Sequence, residues 1–220
     1  MRKLSFLNIT LILIIVNVLV FFAAMFLNFL FPNFIENYLA LKPLDILQGK
    51  NLWTLVTSMF VHANLFHLFA NMLSLMFLGT FLERLIGSKR FLKLYLAAGL
   101  LGSILFILLF VLFQDPRMIL LSVFAGGAKE GIVAVGASGA IFGIAGMLAV
   151  LTPKLPIYIM FIPIAMPMWF GVLLILIVLS LIPGVANSAH LGGLIAGLIY
   201  AFYLKQKYKS KARIISNIFH

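Results

Sequence analysis

From Ile9 to Phe31 the chain carries no charged side chain, and from Phe91 to Phe113 it carries only Lys93. An α-helix rises 1.5 Å per residue, so about 20 apolar residues cross the roughly 30 Å hydrocarbon layer of a bilayer. Segments of this kind must become transmembrane helices or the buried heart of a much larger protein. The second option fails on composition: 64% of the 220 residues are hydrophobic, 10% are charged, and the mean hydropathy is +1.20. A soluble domain of this size cannot hide that much apolar surface from water. Only Arg2 and Lys3 precede the first stretch, which invites a signal-peptide reading. A signal peptide has an apolar stretch of about 7–15 residues and a small-residue cleavage site. This stretch is longer, so a retained first helix is expected.

Six spans are expected, at about 9–31, 64–85, 91–113, 136–151, 167–182 and 187–203, the fourth a shorter one. The fold class expected is therefore all-α, a six-transmembrane-helix bundle forming one membrane domain over 1–220, with a basic tail at 204–220. Pro32 to Val61 is a long first loop holding Glu36, Lys42, Pro43, Asp45, Gly49 and Lys50. It is too apolar for a solvated linker, and Trp53 suits a position at the headgroups. The loop Gln114 to Val135 carries Asp115, Pro116, Gly126, Gly127, Lys129 and Glu130, and Pro153, Pro156, Pro163 and Pro167 interrupt the chain before the fifth span.

The net charge of +11 comes from where the cations sit. Lys205, Lys207, Lys209, Lys211 and Arg213 follow directly on an apolar helix, as a cytoplasmic anchor does, with no aromatic platform or nucleic-acid-binding motif among them. With both termini cytoplasmic, twelve of the Lys and Arg residues fall on the inner side: Arg2, Lys3, Arg84, Lys89, Arg90, Lys93, Lys154 and the five of the tail. Four fall outside: Lys42, Lys50, Arg117 and Lys129. This positive-inside bias closes for an even number of spans. The expected location is a prokaryotic plasma membrane, the expected partners are lipids and membrane proteins, and nucleic acid is excluded. No cysteine is present, which removes disulfides, thiolate metal sites and a cysteine nucleophile.

Polar groups are costly at membrane depth, so those inside the spans are functional candidates. Those gathered near the starts of spans are His62, His67 and Asn71 in the second, Ser138 in the fourth, and His190 in the sixth. All three spans begin on the outer side in this orientation, which puts these residues at similar depth. A serine hydroxyl needs an adjacent base to act as nucleophile, most often histidine. Ser138 and His190 can meet only if their helices pack closely. Gly139 and Gly143 on one, and Gly193 and Gly197 on the other, have the four-residue spacing that permits this in lipid. Phe142 lies one turn from Ser138, where its ring can pack on the imidazole. His67 and Asn71 are four apart on one helix face and can both donate to an oxyanion, as can the Ser138 amide at its helix N-terminus. No Asp or Glu accompanies them, so a dyad is the available arrangement rather than a triad.

Taken singly, each feature has a plainer reading. Gly136-Ala137-Ser138-Gly139 in a helix is ordinarily packing, a lone intramembrane histidine is ordinarily a structural bond or a proton relay, and small-residue spacing is ordinary helix contact. Metal ligation by His62, His67 and His190 is disfavoured, since His62 and His67 lie about 140° apart around a helix with no acidic ligand nearby.

Together, His62-xxxx-His67-xxx-Asn71, Glu83-xxx-Gly87-Ser88, Gly136-Ala137-Ser138-Gly139 and Ala189-His190-xx-Gly193-xxx-Gly197 resemble, in order, the motifs of the rhomboid intramembrane serine proteases. The resemblance implies a six-helix core in which Ser138 is the nucleophile, His190 the general base, and His67, Asn71 and the Ser138 amide the oxyanion donors. Gly136, Gly139, Phe142, Gly143, Gly193 and Gly197 would support them. It implies cleavage of single-span membrane proteins near the outer surface without metal, nucleotide or other cofactor. It further implies a first loop lying half in the membrane, and a lateral substrate gate formed by the fifth helix and the loop after it. The chain departs from the family at Thr54, where an arginine often follows the tryptophan matching Trp53, and at Phe142, where some members have tyrosine. With no additional soluble domain or seventh helix, it resembles the compact prokaryotic form. A catalytically inactive rhomboid-like binding or quality-control factor is the alternative, although such relatives usually lack the serine or histidine retained here. A transporter would be expected to show repeated halves and more intramembrane charge.

Overall fold

The computed structural model describes residues 8–113, 133–159, 162–182 and 184–210. Asp115, Pro116, Gly126, Gly127 and Glu130 of the loop, and Arg2, Lys3, Arg117, Lys129, Lys211 and Arg213 of the charge count, lie outside the described residues. Among the described residues the principal helices are α1 (Ile9–Leu30), α2 (Leu65–Ile86), α3 (Ser88–Phe113), α4 (Ser138–Leu151), α5 (Met168–Ser180) and α6 (Asn187–Lys207). The first three are long and apolar enough to cross a membrane by length and composition. The chain is a polytopic helical membrane protein.

Helix α4 is the axis of the bundle. Every residue from Gly139 to Leu148 is buried, so a helix that is apolar all round is enclosed by protein rather than by lipid. Its small residues let α3 and α6 close over it. The outer helices turn apolar side chains outward: Phe22 and Phe26 of α1, Leu112 of α3 and Ile199 of α6 are exposed, as lipid-facing side chains should be.

The Glu83-xxx-Gly87-Ser88 motif fixes how α1, α2 and α3 meet. The Glu83 carboxylate accepts from the Ile9 amide (2.9 Å), the Thr10 amide (2.8 Å), the Thr10 hydroxyl (2.7 Å) and the Ser88 hydroxyl (2.6 Å). The first amides of a helix have no intrahelical acceptor, and a carboxylate there also meets the positive end of the helix dipole. Glu83 thus caps α1 from another helix. Gly87, at φ +84°, makes the turn from α2 into α3 in a conformation that disfavours any side chain.

The first loop is built of short helical turns at Ile35–Leu39, Pro43–Leu47, Thr54–Thr57 and Ser58–Phe60. Trp53 donates its indole N–H to the Tyr38 carbonyl (2.8 Å), and the buried Thr54 donates its hydroxyl to the Asn51 carbonyl (2.8 Å). Thr54 is therefore an internal tie of the loop. The proline-interrupted segment before α5 forms an antiparallel hairpin, β1 (Pro156–Ile159) with β2 (Ile162–Pro167), that pairs Pro156 with Pro167. Prolines cannot donate to a ladder, which suits a ribbon that has two strands among the described residues.

Candidate active site

The helices α2, α4 and α6 present their first turns to one another. Asn64 caps α2 by accepting from the His67 amide (2.8 Å), which sets His67 in the first turn. Ser138 is the first residue of α4, and His190 lies in the first turn of α6.

Backbone contacts from the first loop hold the approach to Ser138. Ala134 and Leu41 exchange amide–carbonyl bonds of 3.0 Å as an isolated antiparallel bridge, and the Gly136 amide donates to the Ser58 carbonyl (2.9 Å). Gly136 sits at φ +120°, and a Cβ there would lie 2.7 Å from Cε1 and 2.8 Å from Nε2 of His67. Only glycine leaves room for that ring beside the serine. The Ala137 amide is 3.5 Å from Nε2 of the buried His62, whose ring meets that of His67 edge-on at 5.1 Å.

The Ser138 hydroxyl and His190 Nε2 are 2.8 Å apart. The imidazole is buried at 5% exposure and stacks on Phe142, with centroids 4.7 Å apart and planes at 24°. This is the stacking expected one turn beyond the serine, and it needs no tyrosine hydroxyl. Nδ1 of His190 has no protein hydrogen-bond partner among the described residues. A neutral ring with its hydrogen on Nδ1 leaves Nε2 free to accept from the serine.

Glycine makes that contact possible. A Cβ on Gly193 would collide with the Gly139 carbonyl oxygen, and one on Gly197 with the Gly143 carbonyl oxygen. The two backbones are as close as backbones can be. Helix α3 forms a third wall that the sequence reading did not single out: a Cβ on Gly102 would lie 2.7 Å from the Ala189 carbonyl oxygen, and one on Gly192 would lie 2.7 Å from that of Leu101. The signal was present in α3 as Ala98-xxx-Gly102 and Gly99-xxx-Ser103, the same small-residue spacing.

Asn71 is buried, and its amide donates to the His67 carbonyl one turn back (2.8 Å), inside its own helix. A side-chain amide has two N–H groups, so one donor is committed to α2. Among the described residues no group of three His, Cys, Asp or Glu side chains converges as metal ligands.

The arrangement can take a proton from the Ser138 hydroxyl at a half-buried position. It also gathers the N-termini of three helices, whose dipoles favour negative charge there. Helix α4 measures about 21 Å from its 14 residues, roughly 9 Å less than a hydrocarbon layer.

A family model described as the Rhomboid domain matches residues 49–207. RHOMBOID-like protein 1 of Arabidopsis thaliana is 35% identical over 169 residues, covering 76% of this chain and 38% of that protein. Rhomboid protease GluP of Bacillus subtilis is 36% identical over 162 residues, covering 71% of this chain and 26% of that protein. Inactive RHOMBOID-like protein 8 of Arabidopsis thaliana is 29% identical over 150 residues, covering 68% and 37%. The chain spans well under two thirds of the length of each of these relatives.

Proposed function

The chain belongs to the rhomboid family, and from that premise we propose that it is an intramembrane serine endopeptidase acting on single-span membrane proteins. The observation that carries this reading is the 2.8 Å contact between the Ser138 hydroxyl and His190 Nε2 inside the bundle. Ser138 attacks the scissile carbonyl as its proton passes to Nε2, and the carbonyl oxygen becomes an oxyanion. The Ser138 amide, the His67 ring and the second N–H of Asn71 stabilise that charge. His190 returns the proton to the leaving amine, and water, activated by the same imidazole, then hydrolyses the acyl-enzyme. Nucleophile and base both come from the chain, so the reaction requires no cofactor.

The short length of α4 supports the depth of the cut. With its C-terminal end, followed by Lys154, at the cytoplasmic boundary, Ser138 lies on the order of 10 Å beneath the outer surface. A single-span helix entering there must unwind locally to offer its carbonyl. The twelve-to-four distribution of cations supports an orientation with cytoplasmic termini.

The test is cleavage of a helix-destabilised single-span substrate by protein reconstituted in liposomes. Wild type should cleave, Ser138→Ala and His190→Ala should not, and a fluorophosphonate should label wild type at Ser138 alone. Cleavage surviving either substitution removes the assignment. The relative described as inactive makes a non-catalytic binding role the second reading. Intact folding of wild type with neither cleavage nor labelling would favour it.

A further inference from the structure

At the opposite end of the bundle from Ser138, the start of α3 and the end of α6 enclose a recess of about 190 Å³. It is lined by Lys89, Arg90, Lys93 and Lys207 with Tyr200, Tyr203, Tyr208 and Leu204. Among the described residues four cations and no carboxylate face this space, and like charges so gathered repel one another unless an anion joins them.

Two of the four, Arg90 and Lys207, are also held in place. The Arg90 guanidinium donates to the Tyr208 hydroxyl (2.8 Å) and the Ile86 carbonyl (3.4 Å), and lies 4.9 Å from the Tyr208 ring centroid. Lys207 donates to the Tyr203 hydroxyl (3.0 Å) and lies 5.5 Å from that ring's centroid and 5.9 Å from that of Tyr208. Tyr203 in turn stacks against Tyr200, with centroids 6.0 Å apart and planes at 12°. Cation–π contacts fix these charges without neutralising them. Lys89 and Lys93 are exposed, four residues apart and on one face of α3, with side chains long enough to close over an occupant.

The position selects the anion. The recess lies where two membrane helices meet the cytoplasmic boundary, the level of lipid phosphates, with tyrosines where interfacial aromatics belong. Arginine recognises phosphate through paired N–H donors, and lysine as a point charge. We propose that this recess binds the phosphate headgroup of an anionic phospholipid, with Arg90 and Lys93 as principal ligands and Lys89 and Lys207 closing the site. The acyl chains would run outward along the exposed apolar side chains of α6, Ile199 and Phe202 among them. Binding there would clamp α3 to α6, the two helices that flank α4. The site stands apart from the serine–histidine pair and does not depend on the protease reading.

Thermal unfolding of the full chain in zwitterionic detergent tests it. Dioctanoyl phosphatidylglycerol, dioctanoyl phosphatidylcholine and inorganic phosphate are each titrated over the same range. The phosphatidylglycerol is expected to raise the unfolding temperature saturably, and the other two to leave it unmoved. Lys89→Gln and Lys93→Gln, at exposed positions that should not disturb folding, are each expected to weaken the apparent affinity about fivefold. Arg90→Gln should weaken it further, and Arg84→Gln, a nearby exposed cation outside the recess, should leave it unchanged. Equal stabilisation by phosphatidylcholine, equal stabilisation by inorganic phosphate, or undiminished affinity in Lys89→Gln and Lys93→Gln would each overturn the proposal.

Discussion

Replacing Gly193 by alanine adds one carbon at the tightest point between α4 and α6. That Cβ would lie 2.7 Å from the Gly139 carbonyl carbon and 3.2 Å from its Cα. Unstrained carbon–carbon contacts are roughly 3.5–4.0 Å, so the helices must separate by about 1 Å. Ser138 sits one residue before Gly139, and His190 one turn before Gly193. Much of the displacement therefore reaches the 2.8 Å contact between them and stretches it to nearly 4 Å. A hydrogen bond is lost at that distance, and a misplacement of about 1 Å typically costs on the order of 100-fold in rate. Overpacking of this kind destabilises a fold by about 1–3 kcal/mol, little enough that the protein should still assemble. The expected result for Gly193→Ala is a folded protein, slightly lower in unfolding temperature, with turnover reduced about 100-fold and slower fluorophosphonate labelling. Labelling reports on the hydroxyl and imidazole without requiring substrate to enter. Wild-type turnover and labelling in Gly193→Ala would refute the argument that backbone proximity at this glycine holds Ser138 and His190 together.

Two further substitutions separate chemistry from architecture. Asn71→Ala should lower turnover about 10- to 1000-fold, as one lost oxyanion donor does, with little change in substrate KM. Unchanged turnover would assign the side chain to its bond with the His67 carbonyl. Glu83→Ala leaves the Ile9 and Thr10 amides and the Thr10 and Ser88 hydroxyls without their acceptor. It should cost roughly 2–4 kcal/mol of stability, read as a lower unfolding temperature, while the turnover of molecules still folded at low temperature stays near wild type. A selective loss of turnover without a loss of stability would place Glu83 in the chemistry instead.

What the sequence made legible was whatever obeys a strong local rule. Hydropathy marked the long apolar helices because the bilayer imposes one length scale on them, and glycine spacing marked where helices can touch. The position of His67 was legible only as a helix face. Its placement against Ser138 depends on the positive φ of Gly136 and on the Ser58 carbonyl that holds that turn. The first is a local backbone conformation and the second a contact between segments far apart in the chain, and neither has a periodic signature. The hairpin before α5 was hidden for a related reason: its prolines advertise an interruption, while the pairing that follows is decided by register across a turn. Asn71 illustrates a different obstacle. Its type and spacing suit a donor to an oxyanion, and they suit a bond to its own helix equally well, so spacing cannot choose between them. Phe142 and His190 mark the opposite case. The one-turn offset from Ser138 and the glycine-thinned contact leave one surface for the imidazole to lie on, so the stacking follows from helical geometry once the two helices touch. The approach of Ser138 to His190 was therefore readable in advance because both residues sit on rigid helices locked by glycine. The surroundings of His67 were less so, because loop contacts govern them.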